Sequence, residues 1–267
     1  MRIVALLLLI LTPWSVAAEP LRTDYLNSQL ISQSTTAVPG GLLMLGLWLE
    51  HDAGWHTYWQ NPGDSGLPTR MTVEIGGEEQ QADFLWPLPE RFPLDAQLVN
   101  FGYKGRVVLP LMVQLPSNLD GDSLSIRARA SWLVCEEACI PGSGEYHINL
   151  PVDSVSRVDG RWQEALDQAA RRQPRQATGA AFRMDGKQVV LHIPRNAVPG
   201  HPRNWTFFPI TPEVVRNSEE PQWRRQGRDW VAVLQRNEFF TSAPAQFDWL
   251  LVQGDDGIQV SAPEVRD

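Results

Sequence analysis

The segment Ser123-Leu124-Ser125-Ile126-Arg127-Ala128-Arg129-Ala130-Ser131-Trp132-Leu133-Val134-Cys135-Glu136-Glu137-Ala138-Cys139-Ile140-Pro141-Gly142 alternates polar and apolar side chains as far as Trp132, then runs apolar into two cysteines. Such alternation marks a strand with one face on a core and one toward water. Ile126, Ala128, Ala130, Trp132 and Val134 share one face, read as the core side. Arg127, Arg129, Ser131 and Leu133 share the other, and Cys135 is in step with them. The first thiol is therefore expected to point toward solvent or a partner. Cys135 and Cys139 are the only cysteines in 267 residues. Along an extended strand, residues four apart lie about 13 Å from each other, whereas a disulfide needs Cα atoms within about 7 Å. If the sulfurs bond, Cys135 to Cys139 must fold back, as a helical turn or a tight loop at a strand end. Ile140-Pro141-Gly142 would then punctuate the return into the next strand.

Outward from this segment the same kind of text continues. Leu42 to Glu50 and Arg106 to Leu115 are rich in apolar and β-branched or aromatic residues, and Thr69 to Ile75 and Glu145 to Leu150 alternate. Turn residues fall between them at Pro39-Gly40-Gly41, Asn61-Pro62-Gly63-Asp64, Gly76-Gly77 and Asp120-Gly121. The expected fold is mainly β, an antiparallel sandwich of immunoglobulin-like type over 19–155. The cysteine–tryptophan–cysteine spacing of a true immunoglobulin domain is absent, so the likeness is one of architecture. The period then changes. Trp162, Ala165, Leu166, Ala169 and Ala170 fall on one face of a short amphipathic helix inside a linker, 156–176, that Pro174 ends. A second, smaller β domain is expected over 177–267. It would hold a hairpin turning at Asp185-Gly186, strands at Asn204 to Ile210, Asp229 to Arg236 and Gln246 to Gln253, and a turn at Asp255-Asp256-Gly257.

Residues 1–18 read as a secretory signal peptide. Arg2 is followed by the apolar run Ile3 to Leu11 and by small residues at Ser15-Val16-Ala17-Ala18. No later stretch offers the roughly 18 apolar residues of a membrane span. The mature chain of 249 residues is thus expected to be soluble in the periplasm, where disulfides persist. It would carry 22 basic against 31 acidic residues, a balance that argues against a nucleic-acid partner.

Three kinds of chemistry suit the cysteine pair. A local bridge closing about five residues contributes on the order of 2 kcal/mol in the chain-entropy picture, a weak staple for a domain that can build its own core. A redox-active disulfide is the second reading. Metal binding is the third, with His147 a possible companion ligand, but two cysteines and one histidine fall one short of a closed zinc site; soft Cu(I) tolerates fewer. No cofactor motif accompanies the pair. His56, amid Trp55, Tyr58 and Trp59, reads as a packed or surface side chain, and Asn61 to Gly66 as a turn, since a phosphate loop would need a lysine and a following helix. A thioredoxin-type Cys-x-x-Cys at a helix start is excluded by spacing and context. Glu136 and Glu137 would raise a neighbouring thiol's pKa. That suits a relay whose partner carries the more activated cysteine.

With Gly54-Trp55-His56-Thr57-Tyr58-Trp59-Gln60-Asn61-Pro62-Gly63-Asp64-Ser65-Gly66-Leu67-Pro68, Trp86-Pro87-Leu88-Pro89 and Asn100-Phe101-Gly102-Tyr103, the cysteine segment resembles a known family. It is similar to the N-terminal periplasmic domain of the thiol:disulfide interchange protein DsbD, in the variant of its suppressor-of-copper-sensitivity relatives. The resemblance covers roughly 20 to 152, and the remainder resembles the second β domain of those longer relatives only loosely. It implies an immunoglobulin-like sandwich whose disulfide takes electrons from a membrane-embedded thiol transporter and passes them to periplasmic thioredoxin-fold proteins. It also implies a cap loop with an aromatic shield over the disulfide, for which Phe101 or Tyr103 is the corresponding residue. It further implies that Cys139 forms the mixed disulfide and that Cys135 resolves it.

Two departures accompany it. The best-known family form has five residues between its cysteines, and this sequence has three. The sequence also stops at Asp267, so the electron donor is expected on a separate chain. The rivals to the relay are a non-enzymatic interaction module with a structural disulfide and a Cu(I)-handling protein linked to copper tolerance.

Overall fold

The computed structural model describes residues 18–95, 97–119 and 121–265. The expected signal peptide, apart from Ala18, lies outside them, as does Asp120 of one expected turn. In the first half the strands are β1 (Leu21–Thr23), β2 (Leu26–Ser32), β3 (Leu42–His51), β4 (His56–Gly63), β5 (Arg70–Ile75) and β6 (Glu78–Gln81). They are followed by β7 (Glu90–Pro93), β8 (Val99–Lys104), β9 (Arg106–Gln114), β10 (Ser123–Cys135) and β11 (Cys139–Pro151). Helix α1 (Gln163–Arg171) comes next. The second half holds β12 (Arg175–Ala177), β13 (Ala181–Asp185), β14 (Gln188–Pro194), β15 (Thr206–Pro209), β16 (Arg224–Gln226), β17 (Asp229–Gln235), β18 (Gln246–Gln253) and β19 (Asp256–Pro263). The chain is mainly β and its first half is an immunoglobulin-like sandwich, as the alternating segments lead one to expect.

Two sheets build that sandwich. One has the order β1-β2-β3-β9. The other runs β6-β5-β10-β4-β8-β7, with β11 paired along the whole of β10. Leu124, Ile126, Ala128, Ala130 and Trp132 of β10 are buried while Ser125, Arg127, Arg129 and Ser131 are exposed, so the strand's period of two sorts its residues between core and solvent. They meet Leu30, Leu45, Leu47, Trp59 and Leu109 in one continuous core.

Helix α1 lies against the outer face of the smaller sheet, where Leu166 and Ala169 pack on Ile31 and Val108. Ala170, placed on the apolar face by the sequence pattern, is exposed; only the middle of a short helix reaches the sheet.

The second half has two four-stranded sheets, β12-β19-β18-β15 and β13-β14-β17-β16, around a core that includes Phe182, Leu191, Phe207 and Trp249. The first of these sheets is apolar on both faces. Phe207, Trp249 and Leu251 face the second core, whereas Phe208 and Leu250, opposite each other on β15 and β18, belong to the first. This explains the unbroken apolar runs Phe207-Phe208 and Trp249-Leu250-Leu251, since a strand buried on both sides has no polar face to alternate with.

Three turns sit differently from expectation. Asn61-Pro62-Gly63 is the end of β4, where Gly63 pairs with Asn100 after a register shift, and only Asp64-Ser65 bends away. Ile140-Pro141-Gly142 lies inside β11, with Pro141 opposite Leu133 and Gly142 opposite Trp132, so the reversal is confined to Glu136-Glu137-Ala138. The turn before β19 is Gly254-Asp255, and Asp256 and Gly257 already pair with β18.

Candidate functional site

Cys135 and Cys139 are the facing ends of the β10–β11 hairpin and are joined in a disulfide with Cα atoms 4.2 Å apart. The fold-back is therefore a tight three-residue loop. On its other side Cys135 pairs with His56 at the start of β4. Residues opposite one another in a sheet share a face, and this fixes what surrounds the sulfurs. His56 and Tyr58 stand on the same face of β4 as Cys135; Tyr58 lies opposite Gly102, which puts Asn100 on that face, and Asn100 lies opposite Phe92 of β7. The site is thus built on the outer face of the larger sheet from five strands, β4, the pair β7–β8 and the hairpin β10–β11.

Strand phase placed Cys135 on the outer face, but it does not point to solvent. It is buried, at 2% exposure, while Cys139 is exposed. The reason is Tyr58, itself 1% exposed, whose hydroxyl donates to Cys135 Sγ at 2.9 Å and lies 3.5 Å from Cys139 Sγ. Asn100 Nδ2 donates back to the Tyr58 oxygen at 3.4 Å, and the amide and hydroxyl of Ser65 both donate to Asn100 Oδ1 at 3.1 Å. Burial holds the Tyr58 pKa above its ordinary value, opposed by Ser65, so the hydroxyl stays a donor at neutral pH.

His56 is stacked on Phe92 at 4.4 Å between centroids and meets Tyr58 edge-on. Burial lowers its pKa, and its Nε2 has no hydrogen-bond partner. Two glycines permit the close cover. Gly66, at φ +86°, lies so near Tyr58 that a Cβ would come within 2.2 Å of the ring, and a Cβ on Gly54, at φ +91°, would meet the Glu136 carboxylate at 2.1 Å.

Phe101 and Tyr103, the shield suggested by resemblance, occupy the opposite face of β8. Phe101 is fully buried, edge-on to Trp59 and Phe208, and Tyr103 donates to Pro87 O at 2.7 Å from within the core. The aromatic groups on the disulfide's own side are Tyr58 and Phe92. The His56–Tyr58 alternation was visible in the sequence, but which face met the disulfide depended on the pairing of β4 with β10. Phe92 gave no sequence signal.

His147, considered as a metal ligand with the thiols, bonds Ser125 through Nε2 at 2.8 Å. It sits eight residues along β11 from Cys139, about 26 Å for an extended strand. Among the described residues no three His, Cys, Asp or Glu side chains gather as a metal-ligand group, and no helix is long and apolar enough to cross a membrane.

Residues 27–151 match the family model described as thiol:disulfide interchange protein DsbD, N-terminal. No curated protein matches the sequence. Among solved structures the fold is similar to the N-terminal periplasmic domain of ScsB from Proteus mirabilis, with a TM-score of 0.66 and 17% identity over 93% of this chain and 98% of that one. At that identity the likeness concerns the fold, and it extends over both halves of the chain. The sporulation control protein Spo0M from Bacillus subtilis aligns over 90% of each chain at 9% identity, but with a TM-score of 0.26. The hairpin, both cysteines, His56, Tyr58 and Asn100 all fall within the matched residues, so the segment that carries the site is similar to the N-terminal domain of the thiol:disulfide interchange protein DsbD.

Proposed function

We propose that the chain is a periplasmic thiol–disulfide relay that takes reducing equivalents from a membrane thiol transporter and passes them to thioredoxin-fold proteins. The observation that carries this reading is the inequality of the two sulfurs: Cys139 is exposed, and Cys135 is buried beneath the Tyr58 hydroxyl. A donor thiolate attacks Cys139 Sγ, the S–S bond breaks, and its electron pair leaves on Cys135 Sγ. Tyr58 O–H donates to that thiolate, a charge-assisted bond stronger than the one to the disulfide, and so makes Cys135 the better leaving group. The donor's second thiolate then attacks the donor's own sulfur in the mixed disulfide and releases Cys139. The donor ends as a disulfide and this chain as a dithiol. Outward transfer runs in reverse order. Cys139 attacks the acceptor's disulfide, Cys135 attacks Cys139 Sγ in the mixed disulfide, and the acceptor leaves reduced as the Cys135–Cys139 bond re-forms.

The export reading of residues 1–18 and the bonded state of the cysteines support the periplasmic setting. Serine substitutions in the producing cell test the relay. Cys135→Ser leaves the exposed thiol without its resolving partner and is expected to accumulate a mixed disulfide with a thioredoxin-fold protein. Cys139→Ser leaves only the buried thiol and should accumulate far less. Recovery of no adduct from either, together with a reduction potential below about −300 mV, would identify a structural bond instead.

A further inference from the structure

Two pieces of chain pack on the neighbours of Cys135, Tyr58 and His56, and both are tied to one stretch of the second half, Phe207 to Glu220. The first is the loop after β4. Gly66 lies against Tyr58, and Ser65 holds Asn100, which in turn holds the Tyr58 oxygen. Asp64 anchors this loop. Its Oδ2 accepts from the Val99 amide at 2.7 Å, and its Oδ1 accepts from Asn217 Nδ2 at 2.9 Å. Asn217 is 6% exposed, so its end of this contact lies away from water while Asp64 reaches the surface.

The second piece is β7, which carries Phe92 over His56. Its Arg91 extends into the second half, where Nη1 donates to Glu220 Oε1 at 2.7 Å and Phe207 O at 3.2 Å, and Nη2 donates to Asn217 O at 3.1 Å. The Arg91 side chain is only 16% exposed. A buried guanidinium without partners would be costly, so these three acceptors fix the path of β7.

Apolar contact between the halves comes from Phe208 and Leu250, which enter the body of the first core. The polar ties at Asp64 and Arg91 go elsewhere, to the two elements that pack on Tyr58 and His56, the neighbours of Cys135. From this division we infer that Arg91 and Asn217 are positioning residues of the disulfide. Through them the second β half sets how closely the loop after β4 and Phe92 close around the buried Cys135, and so whether thiols reach that sulfur as well as the exposed Cys139. The inference gives the second half a role in the relay proposed above, and rests on that reading only in requiring that the disulfide be reducible.

The test measures the rate at which dithiothreitol reduces the oxidised full chain, for wild type and for Asn217→Ala, Asn217→Asp and Arg91→Lys. Asn217→Asp sets a carboxylate against Asp64, and Arg91→Lys keeps the charge but loses the forked geometry. Each is expected to be reduced about tenfold faster than wild type, the scale set by losing a charge-assisted hydrogen bond. The gain in Asn217→Asp should shrink with added salt. Leu250→Ala is the control, since it weakens the same interface without touching either tie. Should a buried variant fail to fold, Asp64→Asn, at an exposed residue, removes the carboxylate charge from the same anchor. Rates that stay at the wild-type value, or rise no more than in Leu250→Ala, would overturn the inference while leaving the relay intact. A wild-type disulfide that no thiol reduces would defeat the relay itself.

Discussion

Tyr58 holds its hydroxyl 2.9 Å from Cys135 Sγ, the sulfur that leaves when Cys139 is attacked. Replacing it with phenylalanine keeps the ring against Gly66 and His56 and removes the hydroxyl, the donor to Cys135 and the distant acceptor from Asn100. Hydrogen bonds to charged groups contribute roughly 1.5–3 kcal/mol. Tyr58→Phe should therefore slow reduction of the disulfide by about tenfold or more at neutral pH, with little change in the urea midpoint. An unchanged rate in stopped-flow measurements would remove Tyr58 from the chemistry. At this scale the sequence was partly legible. Two cysteines four apart could only bond by folding back, and Cys135's place on the outer face followed from strand phase. Its burial did not follow, because Tyr58 comes from a strand about 80 residues earlier.

The cover is a property of elements, and its tolerance is set where backbone meets ring. Gly66 has φ +86° and a Cβ there would strike Tyr58, whereas Gly77 has a similar φ of +87° with nothing within 4 Å. Gly77→Ala should cost about 1 kcal/mol from backbone conformation alone. Gly66→Ala should cost about 1–3 kcal/mol more and, by moving the Tyr58 hydroxyl off Cys135, should slow reduction of the disulfide as Tyr58→Phe does. Paired urea titrations check the difference; equal losses would mean that the loop yields without moving the ring. About half of the strands were readable, where period-two alternation survives because one face is wet, as in β10, whereas β2, β4 and β8 went unread. The short β6 and β7 were not readable either, since Glu78–Gln81 has no buried face and Glu90–Pro93 is stabilised by its neighbours rather than by its own pattern.

For the whole molecule, the site's floor is tied to pH through His51. The carbonyl of Gly105 can only accept, so His51 Nδ1 carries the proton at 2.7 Å and Nε2 accepts from Thr57 at 2.9 Å. Burial pushes its pKa down to about 4. The unfolded chain takes up this proton near pH 6.5 and the folded one only near 4, so the unfolded state binds more protons between those values. Stability contributed by neutral His51 is whole above about pH 6.5 and is lost as pH falls toward 4, at about 1.4 kcal/mol per unit. His56, shifted the same way by burial, adds to it. Urea midpoints should fall between pH 7 and pH 4.5 in wild type and fall less in His51→Gln. Equal slopes would place the acid sensitivity elsewhere.

By itself the sequence determined the β class, the period of about half the strands, and a cysteine pair that must fold back to bond. Those are local consequences of spacing and chain geometry, and the motifs within residues 27–151 carried the likeness to the DsbD N-terminal domain with them. Only the tertiary structure decided that Tyr58 and Phe92, rather than Phe101 and Tyr103, lie on the disulfide's side. Only it showed that the second half reaches the site through Asn217 and Arg91. Both depend on register between strands far apart in the chain, where a shift of one residue moves every side chain to the other face.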